Sequence, residues 1–276
     1  MRIAVISDLH LDENQAFPVL ERLGEMLSAQ RANLVLVAGD ITECSEVSID
    51  AMDLFAEFCG CPVYYVPGNH DLWSENLSNQ GTDEIYQSFV DDYRCLAGKT
   101  KIVRCKTGDF AVVGDIGWYD YSFANEQFGK EELEQMSHNG RTWQDKLKNE
   151  WTADNCGRNE IQLQRLEERL KEAQGLPVIA VTHMIPVREF CVPEEREMWK
   201  YFNGFLGSEK LGELFEKYNV AVSISGHVHY RKEAVHGNTR YICPCLGYHT
   251  EWKLYNEEHG KDLMWQLQDS VRWIEM

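Results

Sequence analysis

Short, nearly unbroken apolar runs alternate along this chain with longer segments whose apolar residues recur every three or four positions. Arg2–Ile6, Leu34–Val37 and Cys61–Val66 are runs of the first kind, and they read as strands buried on both faces. Between them, Phe17 to Leu27 sets Val19, Leu20, Leu23, Met26 and Leu27 on one helical stripe. Ile49 to Phe58 repeats the pattern through Met52, Leu54, Phe55 and Phe58. The βαβαβ alternation predicts a parallel sheet with helices on its faces.

The pattern then loosens. Asp83 to Leu96 predicts a helix, and Ile102–Cys105 and Phe110–Val113 a pair of strands around the turn Lys106–Asp109. The polar segment 124–159, which holds Trp143 and Trp151, reads as a mostly helical insertion. Ile161, Leu163, Leu166 and Leu170 mark an amphipathic helix that Gly175 and Pro177 stop. Val178–Val181 and Val220–Ile224 read as further buried strands, with an irregular loop from Pro186 to Gly207 and a helix around Leu211, Leu214 and Phe215 between them. In the tail, Lys232–His236 and Thr239–Cys243 are strand-like around the turn Gly237–Asn238. No repeat or Pro/Ser-rich linker divides the chain, so 1–276 is expected to be a single domain.

Composition narrows the function. Lys plus Arg is 27 and Asp plus Glu is 45, a formal charge of −18. Such a surface disfavours a nonspecific grip on nucleic acid or an anionic membrane. It is compatible with a small anionic substrate, because bound cations reverse the field locally. The nine cysteines include no C-x-x-C, and most read as small buried thiols. The first residues run directly into Asp8, too early for a signal-peptide core, and no window of 18 apolar residues suggests a membrane span. A reducing cytoplasm is the expected location.

Five apolar runs end in polar clusters: Asp8–Leu9–His10, Gly39–Asp40, Gly68–Asn69–His70–Asp71, Thr182–His183 and Gly226–His227–Val228–His229. Each alone reads as a turn, a cap or a hydrogen-bonded histidine. Five at the carboxyl ends of strands in one parallel sheet stand where α/β proteins place their chemistry. Carboxylate, imidazole and amide oxygen suit Mn²⁺, Fe²⁺ and Zn²⁺, and no thiolate accompanies them. Asp8 and His10 share one side if the chain is extended there. One carboxylate can bridge two cations, and two ions about 3.5–4 Å apart can hold the attacking and leaving oxygens of a displacement at phosphorus.

In this order and spacing the motifs resemble the calcineurin-like metallophosphoesterases, and the resemblance spans residues 8 to 229. It implies a four-layer α/β/β/α sandwich, with two central sheets and a dinuclear metal site at the strand ends. It implies that Asp8, His10, Asp40 and His229 hold one metal. Asp40, Asn69, His183 and His227 would hold the second, with Asp40 bridging. The implied metals are Mn²⁺ and/or Fe, with Zn²⁺ as an alternative. The implied reaction is hydrolysis of a small phosphomonoester or phosphodiester by metal-bound hydroxide, with His70 assisting the leaving group. Asp71 is the candidate to orient the His70 imidazole, the alternative being a turn cap.

Many relatives carry an acidic residue or Asn two or three places after Gly-Asp, where this chain reads Ile41–Thr42–Glu43. The chain also lacks the Arg-Gly-Asn-His-Glu form of protein serine/threonine phosphatases, which weighs against that activity. A catalytically inactive scaffold is a second class, and retention of every ligand position argues against it. A metal-dependent nuclease is a third, disfavoured for long nucleic acid by the acidic balance. Gly117–Phe123 resembles a stretch of uncharacterised bacterial members. Its Trp118, Tyr119 and Tyr121 have two readings: packing under the insertion, or lining the cleft to stack on a nucleobase, which would make a nucleotide the substrate.

Overall fold

The computed structural model describes residues 1–73 and 81–276. The predicted alternation forms β1 (Arg2–Ile6), α1 (Val19–Ala29), β2 (Leu34–Ala38), α2 (Ser45–Cys59) and β3 (Val63–Val66). α3 (Thr82–Asp91) follows, then β4 (Lys99–Val103) and β5 (Phe110–Gly114), paired antiparallel. The insertion contains α4 (Lys130–Leu133), β6 (Ser137–His138), β7 (Arg141–Thr142) and α5 (Asp145–Lys148). Next come α6 (Asn155–Glu172), β8 (Val178–Val181), α7 (Trp199–Phe202), α8 (Glu209–Lys217) and β9 (Val222–Ile224). The chain closes with β10 (Arg231–His236), β11 (Thr239–Pro244), α9 (Trp252–Tyr255), α10 (Leu263–Ser270) and β12 (Arg272–Glu275).

The strands form two main sheets rather than one, in the orders β12-β1-β2-β3 and β10-β11-β9-β8-β5-β4. Side-chain alternation explains how they stack. Ile3 and Val5 of β1, Leu34 and Leu36 of β2, Val112 of β5 and Ile179 and Val181 of β8 join one apolar cluster between the sheets. Their neighbours Ala4, Ile6, Val35, Val37, Val113 and Ala180 face the helices instead. Both faces are therefore buried, which is why the runs are unbroken in sequence. α1 and α2 pack together against the first sheet, and α6 lies on β4 and β5 with α8 beside it. The result is the expected α/β/β/α layering.

The insertion corrects one expectation: it is not mostly helical. Before α6 begins at Asn155 it holds only the two four-residue helices and a hairpin. Asn139 and Gly140 have φ of 47° and 77°, and form the two-residue connection between His138 and Arg141. Asn-Gly is the standard signal for such a turn, with left-handed backbone at both positions.

Candidate metal centre

The polar clusters leave strands of both sheets and meet where the sheets' carboxyl ends converge. Asp8 and His10 follow β1, Asp40 follows β2, and Asn69 and His70 follow β3. His183 follows β8 in the second sheet, and His227 and His229 follow β9. Backbone hydrogen bonds lock the loops together: Asp8 N–H donates to Gly39 O (2.9 Å), His10 N–H to Asp40 O (3.0 Å) and Gly226 N–H to His183 O (2.9 Å). Of ten non-glycine residues with positive φ among the described residues, five are Asp8, His10, Asp40, His227 and His229. Such backbone persists where surrounding structure over-determines it, typically at functional sites. Close approach also explains Gly68 and Gly226: a Cβ on Gly68 would overlap the Asp40 carboxylate, and one on Gly226 would stand 2.6 Å from Oδ2 of Asp8.

Two groups of ligand atoms result. Those of Asp8, His10, Asp40 and His229 lie within 4.8 Å of one another, as do those of Asp40, His183 and His227. Nε2 of His10 and Nε2 of His229 face each other at 2.9 Å, and Asp8 Oδ1 is 3.6 Å from the latter. In the other group, His183 Nε2 lies 3.1 Å from Asn69 Oδ1 and 3.2 Å from His227 Nδ1. Asp40 Oδ1 accepts the His70 backbone N–H. Its Oδ2 faces both groups, 3.6 Å from His10 Nε2 and 3.3 Å from His183 Nε2.

The outer nitrogens of three rings are already committed. His183 Nδ1 lies 2.8 Å from Ala38 O, His227 Nε2 3.2 Å from Phe205 O, and His229 Nδ1 2.7 Å from Glu251 Oε2. Each bond turns the opposite nitrogen's lone pair into the cluster, as metal-binding histidines require. Asp8 Oδ2 is buried with no hydrogen-bond partner among the described residues. Converging ring nitrogens and an orphaned buried carboxylate oxygen fit a dinuclear cation site.

Electrostatics agree. Burial holds His10 well below the usual imidazole range, and burial with the nearby His183 ring lowers His227 to about 3. Both rings are therefore held neutral, the form that can offer a lone pair to a cation. Burial would raise Asp40, but the charges of His183 and His70 outweigh it and hold the carboxyl well below its ordinary value. Burial would lower His183, yet Asp40 and Asp8 carry it up to about 9. Burial is likewise outweighed at His229, which Glu251 and Asp8 raise.

His70 sits at the edge of the cluster, its Nε2 3.9 Å from Asp40 Oδ2. Its ring stacks on Trp73 at 3.6 Å between centroids. The expected contact from Asp71 to this ring is not formed. Asp71 is fully buried and faces the other way. Its Oδ1 accepts from the N–H groups of Ile41 and Thr42 and from Ser48 Oγ, and its Oδ2 accepts from Gly68 N–H. Consecutive residues in a one-turn 3-10 helix, His70–Leu72, diverge, so Asp71 braces the loops. Glu43 stands beside His70 instead, its Oε1 3.7 Å from Nδ1 and its Oε2 3.1 Å from Lys148 Nζ. The His70 contact, with Lys148, lowers its carboxyl against a smaller effect of burial.

The cleft-lining reading of the aromatic stretch is overturned. Trp118 and Tyr119 are fully buried and Tyr121 is 8% exposed. Trp118 Nε1 donates to Asn155 Oδ1, and Asn155 Nδ2 donates to the Tyr121 hydroxyl. These rings pack under the insertion because each polar tip finds a partner there. Sequence reasoning also passed over Trp73, Tyr248 and Glu251. Tyr248 packs its ring against His10 and His229 at 4.5 and 4.6 Å. None stands in a strand-end motif, and only Glu43 carried a signal, three places after Asp40.

Comparison with known proteins gives the same picture. The calcineurin-like phosphoesterase family model matches residues 1–231. The [acyl-carrier-protein] phosphodiesterase PptH of Mycobacterium tuberculosis is 23% identical over 266 residues, covering 90% of this chain and 78% of the relative. The crystal structure of that phosphopantetheinyl hydrolase superposes with a TM-score of 0.77 at 20% identity, covering 99% of this chain and 95% of the other. A dimetal phosphatase from Danio rerio gives a TM-score of 0.50 at 14% identity, covering 88% and 86%.

Proposed function

The chain belongs to the calcineurin-like phosphoesterase family, and from that premise we propose that it is a dinuclear metal-dependent phosphodiesterase. The observation that carries the reading is Asp40 Oδ2, one carboxylate oxygen within 3.6 Å of a histidine nitrogen in each ligand group. In this reading Asp8, His10, Asp40 and His229 hold one cation, and Asp40, Asn69, His183 and His227 the other. Two bound cations supply an acidified water as nucleophile and neutralise charge on the phosphoryl oxygens. An all-nitrogen-and-oxygen donor set supports Mn²⁺ and Fe as the native pair.

The chain's own residues do the rest. His70 is the candidate to donate a proton to the leaving oxygen. Trp73 stacks behind its ring, and the Glu43 carboxylate stands 3.7 Å from its Nδ1, where it pairs with the charged, proton-donating form. Asp71 keeps the loops of Gly68 and Ile41 in register. The likeness to PptH across most of both chains supports a phosphodiester whose alcohol is carried on a protein, of the phosphopantetheinyl kind, as substrate. The reading of 1–276 as one domain is supported by β12, the final strand, pairing antiparallel with β1. A cytoplasmic location is supported by nine free cysteines. No helix among the described residues is long and apolar enough to cross a membrane.

The test is to strip the protein of metal, reconstitute it with Mn²⁺, and assay a simple aryl monoester, an aryl diester and a phosphopantetheinylated carrier protein. Turnover that requires metal and favours the diesters is expected. Full activity in chelator would overturn the metal reading, and exclusive monoester turnover would overturn the diester one.

A further inference from the structure

Asp145 opens α5 in the insertion and belongs to neither ligand group, yet its buried carboxylate gathers five donors. Oδ1 accepts from Asn69 Nδ2 at 2.9 Å, Trp73 Nε1 at 2.8 Å and Asn149 Nδ2 at 3.1 Å. Oδ2 accepts from Trp143 Nε1 at 2.8 Å and the Tyr119 hydroxyl at 3.3 Å. Residue 145 is 76 positions from Asn69 in sequence and 2% exposed.

An asparagine amide has two ends, and only the oxygen serves a cation. With Nδ2 donating to Asp145, the Asn69 Oδ1 is turned to His183 Nε2, 3.1 Å away. Rotating the amide by half a turn would press its oxygen against a carboxylate and point its NH₂ into the ligand group. A charged acceptor makes that rotation costly, because bonds to ionised groups are about twice as strong as neutral ones. Oδ1 of Asp145 also holds the indole of Trp73, the ring on which His70 stacks. Trp143, on the other oxygen, packs at a steep angle against the His227 ring, with centroids 5.7 Å apart. The insertion thus reaches this ligand group at Asn69 and His227, and the neighbouring His70 through Trp73, and Asp145 is where the three contacts join.

We infer that Asp145 is a positioning residue for the ligand group of Asn69, His183 and His227. It fixes the Asn69 amide with its oxygen toward the cation, and through Trp73 it steadies His70. This rests on the two-cation reading of the site. The rival is a structural role, in which five donors on one carboxylate merely fasten the insertion to the sheets.

Metal binding separates the two without reference to turnover. Asp145→Asn keeps the shape but points an NH₂ at donors, and Asp145→Ser removes the acceptor without adding one that clashes. Each purified variant is stripped, titrated with Mn²⁺ and analysed for metal per chain, with chemical unfolding followed alongside. The expected result is one site of unchanged affinity and a second weakened by roughly 10- to 100-fold, the usual cost of losing a ligand's supporting hydrogen bond. Tyr119→Phe, which removes only a donor to Oδ2, should keep both sites. Two full-affinity sites in the Asp145 variants would overturn the inference. So would equal weakening of both sites, or failure of both variants to fold, since either marks a structural role. A wild-type protein that binds two metals but hydrolyses no phosphoester would defeat the enzymatic reading and leave the Asp145 result standing.

Discussion

Glu251 supports His229 from behind: its Oε2 lies 2.7 Å from the ring's Nδ1, in a segment beyond residue 231, where the family match ends. The pairing fixes the tautomer that presents Nε2 to His10 and Asp8. Removing the charge with Glu251→Gln should weaken Mn²⁺ binding at the His10–His229 group by roughly 10- to 100-fold, with the fold intact. Metal titration with calorimetry checks this. Unchanged affinity would make Glu251 an ordinary surface partner.

If His183 is a ligand, metal uptake should depend on pH. Its metal-free value of about 9 stands above the ordinary 6.5, against burial, because Asp40 and Asp8 favour the charged ring. The charged pair with Asp40 therefore stabilises the metal-free fold fully below pH 6.5, and that contribution is lost as pH rises through about 9. A cation needs the neutral ring, so binding expels the proton. Apparent Mn²⁺ affinity should climb by up to about tenfold per pH unit between those values from this group alone. A flat affinity across that window would show that His183 is not a ligand.

Asp71 and Glu43 should separate cleanly. Asp71→Asn turns an NH₂ toward donors that now point at a carboxylate, at roughly 1–3 kcal/mol for each one left unpaired. A lower denaturation midpoint is expected. Glu43, a third exposed, should be dispensable for folding. Glu43→Gln should instead slow turnover most for esters with poor leaving groups, which need the His70 proton. A stable Asp71→Asn protein, or equal slowing across leaving groups for Glu43→Gln, would reverse these assignments.

Trp118→Ala should behave as a core truncation. Removing a fully buried indole costs about 3–5 kcal/mol. Unfolding in denaturant should record that loss, while kcat/KM for a nucleotide ester and for a small alkyl ester change in parallel. A loss confined to the nucleotide ester would restore Trp118 to the cleft.

The unbroken apolar runs at Arg2–Ile6, Leu34–Val37 and Val178–Val181 determined by themselves that strands would be buried on both faces. The five polar clusters after such runs marked the residues that converge where the two sheets' carboxyl ends meet. Both signals are local, because a strand's periodicity and the residues at its end lie within a few positions of each other. The pattern of apolar and polar residues read as one parallel sheet, and the tertiary structure divides the clusters between two. Pairing order depends on contacts between residues far apart in the chain, to which periodicity is blind. It also decided which neighbours support the site. Asp71 adjoins His70 in sequence, but the turn of the 3-10 helix sends it into the loops, and Glu43 takes its place. Glu251 meets His229, and Asp145 meets Asn69 from 76 residues away, because folding brings their carboxylates to those donors. Trp118 is buried for the same reason: whether an aromatic ring lines a cleft or a core depends on what the rest of the chain lays over it.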